Sequence, residues 1–202
     1  MGNKAKQLSY GSFTLEAVKQ RFKLTLLLEA IFPEVAPVTP SELLRSSLQR
    51  ASSLALLSEK ARAEFIVAPI LLEVREQLHE TISIYSGVRF DVSPEEGLQG
   101  VCDFLVTKSP PLPAVQTPVI VLVEAKKNDL EEGLGQCAAE MIAAQRVNQR
   151  DNILDLPVYG CVTTGELWQF LKLADTHLVI EPEKLYIEAL DKILGMLVRM
   201  AA

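Results

Sequence analysis

The chain has 202 residues, of which 49% are hydrophobic, so it is long enough to form one well-buried globular core. It has no apolar run of membrane-spanning length, and its charged start lacks the features of a secretory signal, so we expect a single cytoplasmic domain over residues 1–202 with no membrane partner. The net charge of −6 excludes a basic surface over the whole molecule, although residues 1–62 hold nine Lys or Arg against five Asp or Glu.

Helical periodicity dominates the first third of the chain. Apolar residues at helical spacing predict a first helix over 14–32, which ends before Pro33. The sequence Thr39-Pro40-Ser41-Glu42 is typical of a capped helix start and predicts a second helix that runs to about residue 57. Ser58 can cap a third, longer helix, which contains Glu64 and a proline at 69 that predicts a kink.

From residue 82 onward the pattern changes to short β-prone runs. Strands are predicted over 82–85, 88–92, 101–106, 119–124, 158–162, 168–173 and 178–180. An alanine-rich helix over 132–149, opened by Gly133 and Gly135, interrupts them, and a closing helix is predicted over 184–200. This order of elements predicts an α/β fold with α+β character, in which helices flank a central mixed β-sheet.

Two of the predicted strands carry acidic residues where a buried strand favours apolar ones. Asp103 follows Val101 and Cys102, and Glu124 ends the run over 119–124. Since side chains two apart on a strand share a face, Glu124 and Lys126 should project together. Consecutive strands often pair, so the Asp103 and Glu124 carboxylates could meet at one edge of the sheet. Oxygen ligands of this kind suit Mg²⁺ or Mn²⁺, and a neighbouring lysine suits phosphodiester hydrolysis.

These residues resemble the signature of the PD-(D/E)XK, or restriction-endonuclease-like, nuclease superfamily. The resemblance rests on Glu64 on a helix, Asp103 in Gly-Val-Cys-Asp-Phe, and Glu124-Ala125-Lys126 at the end of a strand. It implies catalytic roles for Glu64, Asp103, Glu124 and Lys126. It further implies that Glu64, Asp103, Glu124 and the backbone carbonyl of Ala125 ligate the metal.

The helix after the Glu-x-Lys strand extends the resemblance. Gln136 is similar to the glutamine of the Gln-x-x-x-Tyr motif found in several branches, including the nuclease domains of type I restriction subunits, and this similarity implies a catalytic role for it. Glu140 stands where that motif has tyrosine. The segment 159–171 also resembles the strand, glycine turn and aromatic strand of those domains.

The resemblance divides the single domain into three parts. Residues 58–173 form the nuclease-like core, residues 1–57 an N-terminal helical extension, and residues 174–202 a final strand with the C-terminal helix. The implied fold is a restriction-endonuclease-like sheet with extra N-terminal helices.

Three functions remain open from the sequence. The first is a Mg²⁺- or Mn²⁺-dependent nuclease, with DNA favoured over RNA and with a second copy or a partner subunit supplying basic surface. The second is a binding or assembly subunit that keeps the fold without efficient cleavage, which the overall acidity favours. The third is a metal-dependent hydrolase of a smaller phosphate-containing substrate.

Overall fold

The computed structural model describes residues 8–126 and 129–202, and it shows a mixed α/β architecture with helices on both faces of a central eight-stranded sheet. The strands are β1 (Thr25–Leu28), β2 (Ser83–Arg89), β3 (Val101–Thr107), β4 (Val119–Ala125), β5 (Val158–Thr163), β6 (Leu167–Ala174), β7 (His177–Ile180) and β8 (Leu185–Tyr186). The helices are α1 (Leu15–Phe22), α2 (Glu42–Ala51), α3 (Glu59–Arg62), α4 (Ala68–Gln77), α5 (Leu130–Arg150) and α6 (Leu190–Ala201). None of these helices combines the length and the apolarity that crossing a bilayer requires.

The sheet has the order β1-β7-β6-β5-β4-β3-β2, with β8 paired to β6. Strands β3 and β4 pair antiparallel, which confirms that the two acid-bearing strands are neighbours. Strands β4 and β5 pair parallel, and α5 makes the crossover between them. All seven residues of β4 are buried, so β4 is a fully covered central strand.

Hydrophobic clusters lie on both faces of the sheet. Helices α1 and α5 pack on one face, where Val18, Leu134 and Met141 join Leu122 of β4. Helices α2, α4 and α6 cover the other face around Val123 of β4. The position of α5 matters for function because its first turns lie against the carboxyl end of β4.

The prediction of a helix over 14–32 is wrong for the second half of that range. Helix α1 ends at Phe22, because Lys23 adopts a left-handed conformation with φ of 56°, and the chain then enters β1. Strand β1 pairs in parallel with β7, so the N-terminal segment contributes to the sheet as well as to the helical layers. Strand β8 and a 3-10 turn over Ile187–Ala189 likewise replace the start of the helix predicted over 184–200.

The third predicted helix is three consecutive helical pieces. Helix α3 leads into a π-helical turn over Ala63–Val67, and α4 follows directly. Pro69 is the second residue of α4, and its missing N–H removes a helical hydrogen bond directly after the π-helical turn. The predicted strands 82–85 and 88–92 are a single strand, β2.

Candidate functional site

The carboxyl end of β4 carries a buried ion pair between Glu124 and Lys126. The Lys126 Nζ atom lies 2.7 Å from Glu124 Oε1, which confirms that the two side chains share a face. Only 3% of the Glu124 side chain and 15% of the Lys126 side chain are exposed. Glu124 Oε2 is buried without a hydrogen-bond partner, so this carboxylate keeps one free oxygen next to a cation.

Asp103 joins this pair from the neighbouring strand. Its Oδ2 atom accepts a hydrogen bond of 2.9 Å from the backbone N–H of Ala125, so the Asp103 side chain is fixed at the end of β4. The aspartate is half-buried, and its charge acts on both Glu124 and Lys126. The structure therefore brings Asp103, Glu124, Ala125 and Lys126 together.

Helix α5 approaches β4 closely enough to complete the group. A Cβ atom at Gly133 would lie 2.5 Å from Val162 Cγ1 and 3.0 Å from Lys126 Cγ, so only glycine permits this approach. One turn later, the Oε1 atom of Gln136 accepts a hydrogen bond of 3.0 Å from Lys126 Nζ. The ammonium group of Lys126 is thus held between a carboxylate and an amide.

Glu140 extends the same chain of contacts into the core. Its Oε1 atom accepts a hydrogen bond of 3.1 Å from Gln136 Nε2, whereas its Oε2 atom is buried without a partner. The residue is completely buried. In the sequence, Glu140 stands out only as a departure from the Gln-x-x-x-Tyr motif, because a glutamate on an amphipathic helix is ordinarily a surface residue.

Burial shifts the protonation of these carboxyl groups. Burial and the charge of Asp103 raise the pKa of Glu124 to about 8, against the opposing effect of Lys126. Burial and the charge of Glu124 raise the pKa of Glu140 well above its ordinary value. Burial alone would lower the pKa of Lys126, but the charge and hydrogen bond of Glu124 outweigh it and raise that pKa. The group therefore favours a protonated lysine and opposes ionisation of the two glutamates.

Glu64 lies outside this group. Its carboxylate is 3.6 Å from Lys60 Nζ, its side chain is 54% exposed, and it lines a surface groove with Arg50 and Phe65. Burial is the main cause of the raised pKa values of Asp103 and Glu124, and the charge of Glu59 adds a smaller contribution there and at Lys126. Glu59 is exposed and is the first residue of α3, where the helix dipole ordinarily explains an acid, so it was not selected from the sequence.

A further polar residue on the sheet shares the face of Glu124. Glu124 pairs in register with Val162, and Val162 pairs with Gln169 on β6. Gln169 is buried, its Nε2 atom donates to the backbone carbonyl of Glu181, and its Oε1 atom has no hydrogen-bond partner. Its position is two strand spacings away from Glu124, a distance of about 10 Å.

Comparisons with known proteins assign this chain to no family. No protein-family model matches the chain, and no curated protein shows a significant match to it. Within residues 8–126 and 129–202, no group of three or more His, Cys, Asp or Glu side chains is arranged to hold a metal ion. The described site instead offers two neighbouring carboxylates, Asp103 and Glu124.

Proposed function

We propose that this protein is a divalent-metal-dependent nuclease of the PD-(D/E)XK, restriction-endonuclease-like type, which hydrolyses phosphodiester bonds and favours DNA over RNA. One observation carries the proposal. The Asp103 and Glu124 carboxylates and the Lys126 ammonium group converge at the end of a buried central strand, and Glu124 Oε2 has no hydrogen-bond partner there. Burying charged groups in this way costs several kcal/mol and is most easily understood as a requirement of function.

The donor set fits Mg²⁺ or Mn²⁺. Mg²⁺ is usually held by one or two carboxylates together with waters and substrate phosphate, so two acidic residues suffice. Asp103 and Glu124 would hold the ion, and the Ala125 carbonyl is the third ligand that the resemblance implies. When bound, such an ion polarises a phosphate and lowers the pKa of water. Glu64, whose carboxylate faces Lys60, does not support the fourth position of the implied ligand set.

The protein side chains would position and stabilise the reacting phosphate. Lys126 is fixed by Glu124 and Gln136, so its ammonium charge is preorganised where negative charge develops on the phosphate. Asp103 is oriented by the Ala125 N–H and needs no rearrangement to act as an oxygen donor. Gln136 would act by holding Lys126 in place, because its amide oxygen accepts a hydrogen bond from the lysine ammonium group.

A second candidate is a binding or assembly subunit with little or no cleavage activity. Two observations favour it: the net charge of −6 and the outward position of Glu64. In this case the site would retain its ion pair without turnover, and a second copy or a partner subunit would supply a basic surface.

Cleavage assays separate the two candidates. Purified protein is incubated with plasmid and single-stranded DNA in Mg²⁺ or Mn²⁺, beside the Asp103→Ala and Lys126→Ala variants. We expect cleavage by the wild type and a loss of at least about a hundredfold in each variant, which is the scale of removing an electrostatic stabiliser. Cleavage that persists unchanged in both variants overturns the proposal, and no cleavage by a wild type that still binds DNA favours the second candidate.

A further inference from the structure

Glu140 is a buried carboxyl group that packing does not explain. It is fully buried on a face of α5 that also carries small buried residues, among them Cys137, Ala143 and Ala144. Burial and the charge of Glu140 raise the pKa of Cys102, and the Glu140 side chain uses only one of its two oxygens. An apolar side chain of the same size would fill this space without the desolvation cost.

The one hydrogen bond of Glu140 determines which way the Gln136 amide points. A glutamine amide has an acceptor oxygen on one side and an N–H₂ donor group on the other. Lys126 is a donor and therefore needs the oxygen, so the N–H₂ group must face an acceptor on the opposite side. Glu140 Oε1 is that acceptor, at 3.1 Å from Gln136 Nε2.

We propose that Glu140 is a positioning residue, which orients the Gln136 amide so that Lys126 is held against Glu124 in the geometry that the active site requires. The four side chains form one continuous series of contacts: Glu140 to Gln136 at 3.1 Å, Gln136 to Lys126 at 3.0 Å, and Lys126 to Glu124 at 2.7 Å. Without an acceptor at position 140, the amide can turn its N–H₂ group toward the ammonium of Lys126, and the lysine loses one of its two partners.

The proposal rests on the proposed function for its catalytic consequence, but its structural core can be tested without activity. Lys126 is labelled with acetic anhydride in metal-free protein. Mass spectrometry measures the rate of its acetylation relative to that of the exposed Lys184 in the same molecule. Glu140→Met removes the acceptor, whereas Glu140→Gln removes the charge and keeps an oxygen that can accept from Gln136. Gln136→Leu removes the amide itself, so it also removes the hydrogen bond between Lys126 and position 136.

We expect Lys126 to label about fivefold faster in Glu140→Met and in Gln136→Leu, which corresponds to the loss of one hydrogen bond. In Glu140→Gln the rate should stay within about twofold of wild type, because the acceptor is retained. Unchanged labelling in Glu140→Met, or an equal increase in Glu140→Gln, overturns the positioning role.

The nuclease assay adds an independent readout. Glu140→Met should lower kcat about fivefold with KM unchanged, and Glu140→Gln should keep the wild-type kcat, since the effect passes through Lys126 and not through substrate contacts. A wild type that binds no divalent ion and cleaves nothing contradicts the proposed function alone, and the labelling rates then decide the role of Glu140.

Discussion

At the scale of single residues, Glu124 and Glu140 are the side chains that most strongly indicate a function, because each is buried and each has one oxygen without a hydrogen-bond partner. Only Lys126 offsets the negative charge within this series of contacts. Stability and function therefore oppose each other here: the features that would attract a divalent cation are those that destabilise the metal-free fold.

Replacing Glu124 by Gln should abolish the stabilisation of the protein by Mg²⁺. A ligand present at about ten times its Kd stabilises the folded state by about 1.4 kcal/mol. For a chain of this size that raises the Tm by about 3–6 °C. Thermal unfolding with and without Mg²⁺ measures the shift in wild type and in Glu124→Gln. The exposed Glu132 is the matched control, and Glu132→Gln should retain the shift; its equal loss there would contradict a site at Glu124.

The stability of the metal-free protein should fall as the pH rises from about 5 to 8. The folded-state pKa of Glu124 is raised to about 8, and that of Glu140 is raised well above 4.5. A carboxyl whose pKa is raised on folding contributes fully below its unfolded pKa and loses that contribution as the pH rises through the folded value. Each such group gives a slope of up to about 1.4 kcal/mol per pH unit.

Glu140→Gln should flatten part of this dependence and should be more stable than wild type at pH 8 by about 1–3 kcal/mol, since it removes a buried charge and keeps the hydrogen bond. Urea unfolding at several pH values measures both effects. A difference between the two proteins that stays constant from pH 5 to 8 would show that Glu140 does not titrate differently on folding.

At the scale of the elements, the contact between α5 and β4 fixes the site. Near the C-terminal end of α5, the side chain of Asn148 is buried against Val119, the first residue of β4. Its amide forms two hydrogen bonds with the Val119 backbone, as the backbone of a neighbouring strand would. Its Oδ1 atom accepts from the Val119 N–H at 2.8 Å, and its Nδ2 atom donates to the Val119 carbonyl at 2.7 Å. The helix is therefore fixed to β4 near both of its ends.

Asn148→Ala should destabilise the protein by about 3 kcal/mol, because it leaves both backbone groups of Val119 buried without partners. The exposed neighbour Gln149 provides the control, and Gln149→Ala should change the free energy of unfolding by less than about 0.5 kcal/mol. Denaturant unfolding measures both values. Equal effects of the two substitutions would show that the contact with β4 is unimportant.

The central strands and α5 were predictable from the sequence, since their patterns are local. Strand β1 was not, because its apolar residues continue the helical spacing of α1 and its partner β7 lies about 150 residues further along the chain. Lys23 adopts the left-handed conformation that ends α1, and that conformation is usually signalled by glycine or asparagine.

For the site, the grouping of Asp103, Glu124 and Lys126 followed from strand alternation and element order, whereas Gln136 was expected only from the family resemblance. The burial of Glu140 and Gln169 was not predicted, since Glu140 lies on a helix, where an acid is ordinarily solvated, and Gln169 carries no charge that would mark it as unusual in a strand.

At the scale of the whole molecule, the net charge of −6 sets the conditions for nucleic-acid binding. Counterion release drives most protein–DNA affinity, and an acidic protein gains little from it. Binding should therefore depend on the divalent cation. We expect the Lys126→Ala variant to bind a DNA duplex at least about tenfold more tightly in Mg²⁺ than in a chelator, as measured by fluorescence anisotropy at constant ionic strength. Equal affinity in the two conditions would contradict a metal-bridged complex.

The π-helical turn over Ala63–Val67 makes the segment before α4 tolerant of a one-residue deletion that would disturb an ordinary α-helix. Each residue of an α-helix turns the chain by about 100°, and a π turn accommodates one residue more than an α turn. Deleting a single residue there would convert the π turn into an α turn and would leave α3 and α4 in the same rotational phase. Deleting a single residue from α4 instead would rotate α3 by about 100° relative to the rest of that helix. Glu59 would then swing away from Asp103 and Glu124, although every amino acid of the site had been kept.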